Sequence, residues 1–138
     1  MNAYTFDEIQ VGYSADFEVV VTEKMMQQFL EISDDYNPLH VDADYAKSNG
    51  FNGKVVYGLL QAAFYSKLIG VYLPGKYCVL ENIETSFYYP VFVGDRLIIS
   101  GQVKEKHDAV RSMDISAKIV NQSGKRTSKA KIMVACLR

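Results

Sequence analysis

Tyr57-Gly58-Leu59-Leu60-Gln61-Ala62-Ala63-Phe64-Tyr65-Ser66-Lys67-Leu68-Ile69-Gly70 is apolar on nearly every helical face and ends on a glycine, with Pro74-Gly75 just beyond. A helix without a polar face is stable in water only when other elements cover it. Gln61, Ser66, Lys67 and two glycines interrupt the run, which therefore falls short of the roughly 20 uninterrupted apolar residues of a membrane span. It reads as a buried helix, and the rest of the chain supplies its cover. Residues 77–88, 96–104, 110–120 and 129–137 have the composition and alternation of strands. Breaks fall at Pro90, Gly94-Asp95, His107-Asp108 and Ser123-Gly124. Four sequential strands with short connections are expected to pair antiparallel.

Upstream of the helix, residues 16–21 read as another strand. Thr22 is a suitable N-cap for a helix carrying Met25, Phe29 and Ile32 at helical spacing. Asp34 to Pro38 stops that helix, because Asp and Asn favour local turns and the residue before a proline leaves the helical region. A polar segment, residues 43–53, leads to the apolar helix. No repeat, linker or low-complexity tract interrupts this order, so the reading is one α+β domain over residues 1–138, a curved antiparallel sheet wrapped around a central helix.

A chain of 138 residues suffices for one core. Its 15 basic and 16 acidic residues nearly cancel, which gives no electrostatic reason to expect nucleic acid or an anionic membrane as partner. Cys78 and Cys136 lie far apart, each in an apolar stretch, and read as packing thiols. Met1 to Thr5 lacks the basic-then-apolar pattern of a secretion signal. The expectation is a reduced, cytoplasmic protein.

The loop after the first helix reads Ser33-Asp34-Asp35-Tyr36-Asn37-Pro38-Leu39-His40-Val41-Asp42 and places Asp35 and His40 together on one turn. A carboxylate beside an imidazole can set its tautomer or share a water with it, as acid/base catalysis requires. Read alone, the stretch is equally an Asp/Asn-before-proline loop with an incidental histidine. His107, the other histidine, is expected in an exposed hairpin turn, and without a close Cys/His cluster no metal centre or cofactor is expected.

Asp35-Tyr36-Asn37-Pro38-Leu39-His40 resembles the Asp-x-Asn-Pro-x-His signature of the MaoC-like (R)-specific enoyl-thioester hydratases. Residues 51–60 resemble the lead into that family's central helix, and Pro90-Val91-Phe92-Val93-Gly94-Asp95 resembles one of its strand-connecting turns. The resemblance spans essentially the whole chain. It implies the hot-dog fold, a homodimer whose sheets join, and sites near the subunit interface. It further implies hydration of trans-2-enoyl thioesters, or the reverse dehydration, on CoA or an acyl carrier protein. Asp35 and His40 would handle water, the backbone N–H of Gly58 would stabilise the thioester oxyanion, and Asn37 and Ser66 would support the acid and its loop. On residue chemistry alone, Gly58 also serves as a tight helix entry, and Ser66 is as well placed to bond a carbonyl one turn back. Two positions depart from the family. Tyr57 stands where histidine is usual, which is expected to reshape the pocket entrance, and Asp34 stands where glycine usually precedes the acid. The rival readings are a hot-dog thioesterase, disfavoured by the lack of Asp or Glu in residues 55–74, and a non-catalytic acyl-binding subunit.

Overall fold

The computed structural model describes all residues, Met1–Arg138. Strand β1 (Ser14–Val20) is followed by α1 (Glu23–Ser33), the short α2 (Pro38–Val41), α3 (Ala43–Ser48) and the central α4 (Gly58–Lys67). A π-helical turn, Leu68–Tyr72, prolongs α4, so the helical path runs beyond Gly70 to the turn before Pro74. Strands β2 (Cys78–Phe87), β3 (Arg96–His107), β4 (Ser112–Val120) and β5 (Arg126–Cys136) complete the chain. No helix is long and apolar enough to cross a membrane.

Every strand pair is antiparallel, as expected, but the sheet order is β1-β3-β4-β5-β2. β2 therefore pairs with β5 and not with β3, its neighbour in sequence. The reason lies in residues 88–95, which run back past the start of α4 instead of forming a hairpin. The Val56 N–H donates to the Val91 carbonyl at 2.8 Å, and Val55 bridges Phe92. Only then does the chain turn, at Gly94, into β3.

One face of the sheet carries Leu97, Ile99, Val103, Met113, Ile115, Ile119, Ile132 and Val134, all fully buried, against α4 and its π turn. A Cβ at Gly101 would lie 2.7 Å from Leu68 Cδ2 and 3.2 Å from Ile115 Cγ2. Gly101 thus marks a close approach of the π turn to β3, where an added side chain would displace Leu68.

Three local details differ from expectation. α1 buries Met26, with Met25, Phe29 and Leu30 partly covered, while Ile32 is 84% exposed because the chain turns away directly after it. The polar segment contains α3, which forms because the Asp42 side chain accepts from the Asp44 and Tyr45 amides at its start. His107 is the last residue of β3 and not a free turn residue; its Nε2 lies 3.4 Å from Asp114 Oδ2, with Glu105 close by on the sheet face away from α4.

Two buried polar side chains of α4 behave oppositely. Tyr65 donates to Ser128 Oγ at 2.9 Å, and Ser128 in turn contacts Thr85 Oγ1 at 3.1 Å, which links the helix to β5 and β2. Gln61, one turn earlier, is buried with Oε1 unpartnered. Tyr65→Phe is therefore expected to lose about 1 kcal/mol in urea unfolding, whereas Gln61→Met is expected to be neutral or to gain up to about 1 kcal/mol. Burial pushes the Tyr65 phenol up to about 12. Its neutral form is the one the fold holds, so this contribution is intact below the unfolded tyrosine value and is lost as pH rises through the folded one.

Candidate active site

The loop that carries Asp35 and His40 is built by its own side chains. α1 ends at Asp34, whose φ of 53° is left-handed and whose N–H donates to the Leu30 carbonyl at 2.8 Å. A glycine is favoured at such a position, and Asp is among the residues that tolerate it. The Asp34 side chain is exposed. Ser33 Oγ accepts from the Asp35 N–H at 3.2 Å, and Asp35 Oδ1 accepts from the Asn37 N–H at 3.2 Å. Asn37 is the N-cap of α2: its Oδ1 accepts from the Leu39 N–H at 3.0 Å, and Pro38 occupies the first helical position. His40 therefore stands on a helical turn and not on a free loop, while Asp35 precedes that turn.

Asp35 does not orient the imidazole. His40 Nδ1 lies 2.7 Å from the Val55 carbonyl. A carbonyl only accepts, so Nδ1 carries the proton, and in the neutral ring Nε2 is the nitrogen with the lone pair. The ring stacks on Tyr57, with centroids 4.1 Å apart, and Phe29 lies behind Tyr57 at 4.7 Å. Tyr57 is itself buried, and its hydroxyl donates to the Asp35 carbonyl at 2.8 Å. Burial first, and the nearby Asp35 charge second, push the Tyr57 phenol up. Tyr57 thus fixes both members of the acid/imidazole pair, beyond the reshaped pocket entrance expected from sequence. No signal along the chain carries this, since the two contacts reach back across 22 and 17 positions.

Gly58 opens α4 next to this ring. Its N-cap, Tyr57, makes no side-chain capping bond, so the first-turn amides lack a capping acceptor and face outward with the positive end of the helix. A Cβ on Gly58 would meet the Phe87 ring at 3.4 Å. Ser66 lies two turns further along α4, exposed, and no hydrogen bond joins it to Asp35. Within one chain, then, Asp35, Asn37, His40, Tyr57 and Gly58 come together and Ser66 stands apart. A small cavity beside His40 and Tyr57 is lined by Met26, Leu30, Val41 and the Glu23–Lys54 ion pair.

An antiparallel sheet wrapped around one helix, with an acid, an imidazole and a helix start at its rim, defines a hot-dog protein. The MaoC-like domain matches residues 7–124, and the chain belongs to that family. An (R)-specific enoyl-CoA hydratase of Rhodospirillum rubrum is 34% identical over 105 residues, covering 73% of each chain. One from Aeromonas caviae is 31% identical over 116 residues, covering 84% of this chain and 87% of that one. The unliganded R-hydratase of Pseudomonas aeruginosa superposes with a TM-score of 0.90 at 29% identity, covering 96% of this chain and 84% of that chain.

If Tyr57 ties the site together, its two contacts separate by substitution. Tyr57→Phe keeps the stack, loses the bond to Asp35 and is expected to cost about 1 kcal/mol. Tyr57→Ala also loses the ring and is expected to cost roughly 3–5 kcal/mol in urea unfolding. Equal losses for the two variants would show that the hydroxyl, and not the stack, holds the loop.

Proposed function

We propose that this protein adds water across the double bond of trans-2-enoyl-CoA thioesters to give (R)-3-hydroxyacyl products, and catalyses the reverse dehydration. The observation that carries the reading is the His40 tautomer fixed by Val55, which leaves Nε2 free as a base on the rim of the site. The relatives of hydratase name support the substrate class and the (R) outcome.

In the forward direction, Nε2 of His40 takes a proton from a water whose other hydrogen bond goes to the Asp35 carboxylate. The water oxygen bonds to C3, the C2–C3 π electrons move toward the thioester, and negative charge gathers on its oxygen. The Gly58 N–H, at the positive end of α4, donates to that oxygen. Collapse of this enolate returns a proton from the His40/Asp35 pair to C2. Asn37 holds the turn that sets Asp35 against His40.

The site also supports a homodimer. β2 bonds only to β5, so its other edge is free, and Val79, Leu80 and Phe87 on it are exposed, as are Tyr88 and Tyr89 just beyond. Leu59, beside Gly58, is 68% exposed. A free edge with this much apolar surface favours pairing with a second copy, edge to edge, beside the start of α4.

Loss of enoyl-thioester ultraviolet absorbance with a short trans-2-enoyl-CoA tests the chemistry. Asp35→Asn and His40→Ala are each expected to lower turnover by roughly 100-fold or more. Full activity in both would remove the pair from the mechanism, and release of free thiol without hydroxyacyl product would make the protein a thioesterase. Gly58→Pro removes the proposed oxyanion donor at a position where proline suits the helix, after a residue at φ −53° and ψ 129° that proline accepts. It is expected to cost about 100- to 1,000-fold in kcat, while Gly58→Ala, which keeps the N–H, costs far less. Sedimentation is expected to show a dimer at micromolar concentration; a strict monomer would overturn the edge-to-edge assembly.

A further inference from the structure

We propose that Cys78 and Cys136 form a latent disulfide site that a hydroperoxide closes, tying the edge strand β2 to β5. They are the only cysteines of the chain, and the sheet makes them direct cross-strand partners. Both thiols are free. Their backbones do not bond each other: the Cys78 N–H donates to the Gly75 carbonyl at 3.2 Å and the Cys136 N–H to the Arg111 carbonyl at 2.8 Å. The flanking contact, Leu137 N–H to the Tyr77 carbonyl at 2.8 Å, marks the adjacent hydrogen-bonded position. Cys78 and Cys136 are thus a non-hydrogen-bonded antiparallel pair, where Cα atoms approach to about 4.5 Å and side chains lie closest, inside the roughly 4.4–6.8 Å that a disulfide spans.

The side chains share a face, since directly opposed residues always do. Cys136 belongs to the buried core and Cys78 packs against it. The contact that Cys78 would surrender is weak, an S–H donated to the Ile69 carbonyl at 3.5 Å. That carbonyl also accepts from the Gly75 N–H at 2.9 Å, so it stays satisfied after closure. Cys78 is the more exposed thiol and reacts first. Its sulfur attacks one oxygen of hydrogen peroxide, the O–O bond breaks, and a sulfenic acid and water form. The Cys136 sulfur then attacks the Cys78 sulfur, the S–O bond breaks, and a second water leaves. Two thiols lose two electrons and two protons, and the peroxide is reduced to two waters.

The cross-link joins the first residue of β2 to the last of β5 and so encloses all four strands β2 to β5, a long loop whose closure restricts the unfolded chain. It lies at the opposite end of β2 from Phe87 and Gly58, so it leaves the candidate active site in place. Burial pushes both thiols up, with Arg111 and Lys106 pulling Cys136 partly back. Closure therefore speeds up as pH rises.

The test uses the full chain, reduced and then exposed to a few equivalents of hydrogen peroxide, beside Cys78→Ser and Cys136→Ser. The expected product is monomolecular, lighter by about 2 Da, without free thiol on denaturation, and yields a joined Cys78–Cys136 peptide. Its Tm is expected to rise by about 10 °C and to return on reduction, with neither serine variant shifting. Thiols that survive, gains of about 16 Da per added oxygen without a cross-link, cross-links between chains, or a cross-linked form with lowered Tm would each overturn the proposal.

Discussion

The start of α4 is the constraint on which the site depends. An α-helix leaves its first amides without partners, and the usual remedy is a capping side chain. Here the N-cap is Tyr57, whose hydroxyl is committed to the Asp35 carbonyl, and the first helical residue is a glycine. Tyr57 is followed by first-turn amides without a capping side chain. The two residues before it, Val55 and Val56, are fastened on both sides. Val55 N–H donates to the Leu39 carbonyl at 3.0 Å, the Val55 carbonyl accepts from His40, and Val56 N–H reaches Val91 at 2.8 Å. A single extended segment thus sets the imidazole, the acid's loop and the open helix end in fixed relation.

That arrangement explains how much of the protein was legible along the chain. The central helix and the strands that cover it depend on period and local composition, which residues 57–70 and the β segments display directly. The Asp35 to His40 spacing was visible because both residues lie on one turn. The pairing of β2 was not, because it depends on residues 88–95 folding back against Val55 and Val56, a contact of distant segments. Tyr57's double contact and the Val55 carbonyl that sets the tautomer of His40 were hidden for the same reason. The six residues of α3 are too few to show a period, and only the Asp42 cap marks its start. In α1 the helical spacing holds for Met25 and Phe29, which pack against the core, while the fully buried residue is Met26 and Ile32 is exposed.

The two departures from the family pattern acquire physical explanations. Asp34 occupies the one left-handed position of the loop, where glycine is cheapest and Asp is tolerated, and its side chain is exposed. Tyr57 is the more consequential. A phenol one ring thick can stack on His40 and still reach the Asp35 carbonyl, so one side chain braces two groups on the loop. This bracing uses neither His40 Nε2 nor the Asp35 carboxylate, because Tyr57 engages the imidazole through its face and Asp35 through its backbone.

The position of the rim within the sheet completes the argument. Gly58 meets Phe87, the last residue of β2, and β2 is an edge strand bonded only to β5. In the proposed mechanism the Gly58 N–H, beside an unpaired edge, would be an oxyanion donor half enclosed by its own chain, and burial in a water-excluded site strengthens such a donor. Pairing of two β2 edges would supply it, since the partner's surface would arrive beside Leu59 and Phe87, the apolar residues that flank Gly58. On that proposal, assembly and oxyanion stabilisation would be one physical requirement, and Gly58 and Phe87 are where they would meet.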